Sequence, residues 1–352
     1  MSLSRVRRKL NRFFAPLSRI AIRGADPYLA VFAFHEVSDE RNVRIGPDTA
    51  VGVKTFERFV RALMEGHEVV PLSDALAMLH SSSLRRRTAV LTFDDGHHSI
   101  TLHAARVLRS LGLRGTLFLT TSVLNDAAPF FPYLLAEYLK GPHRERFVAI
   151  VRSILELPTL APKDVSRYLN GKASRTDILN LYRRAQDELV SWKDILGKTG
   201  PLFVSSKDLA ANADCLELAM HSHYHIPLAR LTAEELDEEL SLSRLTLSNL
   251  GLPHVGALAP PYGGLGTAYG RAQVLQLKKA GVQAVAGCYG GLNGVDQPVS
   301  LLRRIPVSDS RLLGNVYAFI ENVVNARPRL SSYIEERWTI RKLRPASSQR
   351  HA

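Results

Sequence analysis

The sequence predicts an α/β fold built on a parallel sheet, and three observations lead there. Short β-branched or apolar runs recur along the chain, and stretches with apolar residues at helical spacing lie between them. The two motifs richest in ionisable residues each follow directly on such a run. Strands that alternate with helices pair in parallel, and the carboxyl ends of such strands are where these folds gather their chemistry. With 352 residues and 45% apolar content, the chain can bury one sizeable core.

Leu29–Phe34 reads as the first buried strand and runs into His35-Glu36-Val37. Thr55–Met64 reads as a helix, Glu68–Leu72 as a strand, and Asp74–Leu79 as a helix that Ser73 could cap. Ala89–Phe93 is the next buried strand, ending at Asp94-Asp95-Gly96. Ile100, Ala104, Val107, Leu108 and Leu111 then share a helical face that Gly112 ends, and Gly115–Thr120 is another strand. From about 125 to 204 the pattern turns to charge-rich amphipathic helices, such as Phe147–Leu155 and Thr176–Leu189. This stretch reads as a helical insertion: a lid, a substrate platform or a surface elaboration, with the sequence not choosing among them. Leu216–Met220 is the strand before a histidine cluster. Thr232-Ala233-Glu234-Glu235 is a capping box opening a helix through Leu250, closed by Gly251. Strand-like runs over Val255–Leu258 and Val282–Ala286 follow.

The net charge of +13 is concentrated at the ends. Residues 1–23 carry seven basic residues and no acid, and residues 337–352 carry five and no acid. A nearly neutral body argues against nucleic acid as the partner. In 1–23, Leu3, Val6, Leu10, Phe13, Leu17 and Ile20 recur at helical spacing among arginines, with Pro16 interrupting. That pattern suits either an anionic membrane surface or a basic solvated helix. Two distant cysteines give no disulfide framework, and neither a signal peptide nor an apolar run of spanning length is found. The expectation is a cytoplasmic protein, or one peripheral on the inner face of the membrane.

Two adjacent carboxylates, Asp94 and Asp95, at the end of a buried strand repel each other and lose solvation, so a cation or proton nearby is expected. A plain Asp-Gly turn with Asp95 capping the next helix is the alternative. The cluster His221-Ser222-His223-Tyr224-His225 favours the cation. One carboxylate and two imidazoles, with a fourth position for water, suit a catalytic divalent metal. In an extended chain His221, His223 and His225 would all face one side, which leaves His223 a rival ligand.

Thr92-Phe93-Asp94-Asp95-Gly96 and His221-Ser222-x-x-His225 resemble the first two motifs of the polysaccharide deacetylase family, the NodB-homology enzymes of carbohydrate esterase family 4. Ala259-Pro260-Pro261-Tyr262-Gly263 resembles a degraded third motif, and Leu301–Val307 resembles the arginine-bearing strand near the family's end. The resemblance runs from about Tyr28 to about Ser308 and implies a distorted (β/α) barrel of about seven strands. It implies a domain over 26–320 that carries the insertion, after a basic segment at 1–25 and before a helix and basic tail at 321–352. It implies Asp95, His221 and His225 as metal ligands and Asp94 as general base. A backbone N–H after Pro261 or Tyr262 would stabilise an oxyanion, and Ser222 would orient the loop or support a ligand. The implied cofactor is a divalent ion, zinc first, with cobalt, nickel or manganese as alternatives.

The implied reaction removes the N-acetyl group of an amino sugar in a poly- or oligosaccharide. Loss of activity with retention of carbohydrate binding, or hydrolysis of another ester or amide, are the alternatives. Two departures bear on this. Ala259 stands where the family has an arginine that braces the catalytic aspartate, so Arg304 is the candidate replacement. The family's carboxyl-terminal Leu-x-His is missing, and His35 occupies the place where some relatives acting on exopolysaccharides carry the acid histidine. His97 and His98 read as supporting or surface residues.

Overall fold

The computed structural model describes residues 27–39, 49–324 and 330–343. The segment 1–23 and the tail beyond 343 lie outside the described residues, and with them the membrane-surface expectation. Among the described residues no helix is long and apolar enough to cross a membrane.

Seven strands form the centre: β1 Tyr28–Phe34, β2 Arg87–Asp95, β3 Gly115–Leu119, β4 Leu216–Met220, β5 His254–Leu258, β6 Ala284–Gly287 and β7 Leu302–Pro306. Each pairs in parallel with the next, and β1 pairs with both β2 and β7, so the sheet closes into a barrel. At the closure Val31 lies opposite both Val90 and Arg304. Side chains alternate along each strand. Leu29, Val31, Val90, Phe118, Ala219, Ala257, Ala284, Ala286 and Leu302 therefore share one buried interior cluster. The other face packs under the helices, where Phe34 meets Phe56 and Phe59 edge-on at 5.2 and 5.5 Å. Each such aromatic pair contributes about 0.5–1.5 kcal/mol beyond area burial.

The expected strand Glu68–Leu72 shrinks to Glu68–Val69, a two-residue extension beside the start of β2. The helix after it runs Leu72–His80 with Pro71 at its cap, so Ser73 is not the cap. Instead the Ser73 N–H and hydroxyl donate to the Glu217 carboxylate at 3.1 and 2.7 Å, and Thr116 donates to it at 2.8 Å. Glu217 alternates into the barrel floor, and a buried carboxylate recruits whatever donors are near.

The stretch after β3 is helical as its periodicity implied, with Phe131–Lys140, Arg144–Ile154, Val165–Gly171, Arg175–Glu188 and Trp192–Thr199. Thr232 and Glu235 make the expected reciprocal cap on Ala233–Leu250, and Gly251 ends that helix at φ 63°. The carboxyl-terminal helix Leu330–Leu343 docks through buried Glu336, which accepts from Arg303 at 2.8 Å and Gln297 at 2.7 Å.

Candidate metal centre

Strand alternation delivers the site. Inward positions on β1, β2 and β4 continue past or to the strand ends as His35, Asp94 and His221. By the same rule Asp95 would face outward. It does not, because the Gly96 N–H donates to the Asp94 carbonyl at 2.9 Å and Asp95 sits in the middle of this tight turn at φ 72°. Both carboxylates then open onto one cleft of about 430 Å³ at the barrel mouth. Asp95, Ser222, His225 and Tyr262 all have positive φ, between 58° and 72°. Four such non-glycine residues around one cleft are stored strain of the kind that functional sites carry.

His221 Nε2 and His225 Nε2 lie 3.3 and 3.1 Å from Asp95 Oδ1. The three ligand atoms lie within 4.8 Å of one another, and all three residues are buried. His221 Nδ1 is 2.8 Å from the Ala259 carbonyl. A carbonyl only accepts, so Nδ1 carries the proton and Nε2 presents a lone pair to the centre. Asp95 Oδ1, although buried, receives no hydrogen bond of acceptable geometry among the described residues. An orphaned carboxylate oxygen facing two imidazole nitrogens fits a divalent cation, with one carboxylate and two nitrogens as its protein ligands. Burial pushes the Asp95 carboxyl up, but the neighbouring imidazoles, His225 foremost, overcome it and hold it well below the ordinary carboxylate range.

Asp94 stands beside this centre and outside the ligand set. Arg304, fully buried, grips it with both terminal nitrogens, at 2.6 Å to Oδ1 and 2.9 Å to Oδ2. The guanidinium also lies 4.9 Å over the Phe118 ring. Burial, the largest influence, would raise the Asp94 pKa, but Arg304 foremost, together with His221 and His35, outweighs it and the net direction is down. His35 Nε2 lies 4.0 Å from Asp94 Oδ2 on the cleft wall. Burial lowers the His35 pKa against the opposing pull of Asp95 and Asp94, so the ring is mainly neutral at pH 7.

The loop is not extended, and this removes His223 from the ligand set. Ser222 at φ 63° turns the chain, and its hydroxyl accepts from the His225 N–H at 3.0 Å. His223 is thereby swung onto the Thr121 hydroxyl, 2.8 Å away, and burial lowers its pKa to about 4. His225 lies between Phe130 and Tyr262, with ring centroids at 4.8 and 5.1 Å. Tyr262 lines the cleft, whereas Pro261 is buried and does not. The Gly263 N–H is already engaged with the Pro260 carbonyl at 3.0 Å. Gly263 cannot carry a side chain here, since a Cβ would come within 2.9 Å of three Cys288 atoms.

Three more residues adjoin the site: His97, which the sequence reads as a supporting or surface residue, and Glu36 and Tyr133, to which it gives no role. His97 Nε2 lies 3.2 Å from Asp95 Oδ2, Glu36 Oε1 lies 3.8 Å from His97 Nδ1, and Tyr133 donates to Glu36 Oε1 at 2.8 Å. Glu36 and Tyr133 are separated by 97 positions, so no local pattern could have paired them.

No family model matches the sequence, and neither does any curated protein. Among solved structures, the deacetylase PplD from Streptococcus pyogenes aligns at TM-score 0.55 with 12% identity, over 85% of this chain and 99% of that one. IcaB from Ammonifex degensii aligns at 0.53 with 14% identity, over 85% and 98%. A polysaccharide deacetylase from Bacillus cereus aligns at 0.53 with 14% identity, over 84% and 69%. At such identities the likeness is one of architecture: this chain shares the barrel fold of these deacetylases.

Proposed function

We propose that this chain is a metal-dependent deacetylase that hydrolyses the N-acetyl group of an amino sugar in a poly- or oligosaccharide. The observation that carries the reading is the Asp95, His221 and His225 triangle standing directly beside an arginine-gripped Asp94. The architecture of PplD, solved in complex with acetate, supports it. Asp95, His221 and His225 would hold the ion, with zinc as the first choice; when bound it supplies a Lewis acid at the acetamide carbonyl.

The protein's own groups do the rest. Asp94, kept ionised by Arg304, accepts the proton of the attacking water. The Tyr262 N–H is the candidate backbone donor to the developing oxyanion, since the Gly263 N–H is spent within the turn. His35, mainly neutral at rest and 4.0 Å from Asp94, takes that proton onward and delivers it to the leaving amine. Phe130 and Tyr262 flank the centre and hold His225 in place.

The test is acetate release from a panel of N-acetylated and O-acetylated glycans, chitooligosaccharides included, with the metal content of the purified chain measured alongside. Acetate release that a chelator abolishes and added zinc restores is expected. A metal-loaded chain that releases no acetate from any N-acetylated member would overturn the reading. His35→Gln is expected to lower turnover by about 100-fold while leaving bound metal unchanged; an unaltered rate would remove His35 as the acid.

A further inference from the structure

We propose that His97, Glu36 and Tyr133 form a buried positioning chain that decides which oxygen of Asp95 faces the two ligand histidines, and that the helical insertion exists in part to hold it. The proposal rests on the metal reading above and concerns how the ligand is aimed.

A carboxylate at the centre of a left-handed turn has little backbone to steer it, and its two oxygens are chemically equivalent until something distinguishes them. His97 does so. Its Nε2 lies 3.2 Å from Oδ2, and a carboxylate only accepts, so Nε2 donates there. With Oδ2 held, Oδ1 turns toward His221 and His225 at 3.3 and 3.1 Å. An imidazole can aim a ligand only if its own ring is fixed. The His97 ring stacks on Phe203 at 5.2 Å and meets Phe130 and Tyr133 edge-on at 6.1 and 5.9 Å. On its far edge lies Glu36, 3.8 Å from Nδ1, which is too long for a hydrogen bond. Glu36 is itself pinned by the Tyr133 hydroxyl at 2.8 Å.

Every member of the box around the ring apart from Glu36 comes from the insertion or its edges. Phe130 and Tyr133 lie at its start and Phe203 at its end. The returning backbone locks onto the turn that carries the ligand. The Val204 N–H donates to the Gly96 carbonyl and the His98 N–H to the Leu202 carbonyl, both at 2.9 Å. His97 and Glu36 are 1% and 4% exposed, so neither can serve the cleft directly. The geometry gives the insertion a task that a surface elaboration would not have.

The experiment measures zinc affinity of the purified chain by competition with a chromogenic chelator, and the visible spectrum of the cobalt-loaded chain. His97→Ala is expected to weaken zinc binding by about 10–100-fold and to shift the cobalt bands, with His97→Gln, whose amide can donate to Oδ2, recovering part of both. Tyr133→Phe, which removes a single hydroxyl 97 positions away in sequence from its partner Glu36, is expected to weaken binding several-fold with a cobalt shift in the same direction. Glu36→Gln is expected to fall between the two. If His97→Ala does not fold, these milder variants carry the test.

Folded variants with lower melting temperatures but wild-type zinc affinity and cobalt spectra would overturn the chain and leave a packing role. A wild-type chain that binds neither ion would overturn the metal reading instead, so the two failures are distinguishable.

Discussion

Asp94→Asn is expected to lower acetate release by about 100- to 10,000-fold while bound metal stays at the wild-type level. The side chain keeps its shape and loses its ability to take a proton, which is the only property the mechanism asks of it. Metal retention follows from geometry, because Asp94 lies outside the triangle of Asp95, His221 and His225. The grip of Arg304 changes too. An amide can accept from one guanidinium nitrogen but turns its own N–H₂ toward the other, so one of the contacts at 2.6 and 2.9 Å is lost. Some loss of stability therefore accompanies the loss of rate, and kcat must be read at a temperature well below the melting transition. Full turnover by a folded, metal-loaded Asp94→Asn chain would remove Asp94 as the base. Loss of metal in the same variant would instead place Asp94 among the ligands.

Much of this site was legible because its chemistry is set by short-range rules. Two carboxylates ending a buried strand are costly without a cation, the histidine cluster tips the reading away from a plain Asp-Gly turn, and alternation along β2 and β4 fixes where Asp94 and His221 point. Arg304 was legible only through the resemblance, which expects a bracing arginine where Ala259 stands and so points to another arginine; the physical need it meets is that of a buried acid for a cation. His223 shows where the rule fails. Its exclusion depends on the left-handed Ser222, and serine carries no strong signal for that backbone. Ser73 likewise has the right identity for a cap, yet Glu217 recruits it across 144 positions. The chain of Glu36, His97 and Tyr133 had no legible signal beyond a histidine near the motif, since its pairings are long-range and its box is aromatic packing. Closure of the barrel belongs to the same class, because β1 and β7 meet only at the level of the whole fold.

Arg304→Met is expected to have the largest effect on stability. Removing one partner of a buried ion pair leaves the other charge uncompensated and costs about 3–5 kcal/mol, a fall on the order of 10 °C in melting temperature. The loss should depend on pH with a definite sign. The Asp94 carboxyl is depressed on folding, so the stability it contributes is present above its unfolded pKa of about 3.9 and is lost as pH falls through the folded value. Burial is the largest single influence on Asp94, and without Arg304 only His221 and His35 oppose it, so the pKa moves up. The wild-type advantage over Arg304→Met should therefore be full at neutral pH and shrink in acid.

The same shift should appear in catalysis. The acidic limb of kcat moves toward neutral pH in Arg304→Met, because a larger fraction of the base is protonated there. Asp94→Asn with Arg304→Met closes the cycle: once the carboxylate is neutral, the missing guanidinium matters less, so the double variant should be more stable than the two single losses combined imply. Thermal melts and kcat–pH profiles of the four chains test this. Strict additivity, or an acidic limb that does not move, would mean that Arg304 fills space beneath Asp94 without controlling its charge.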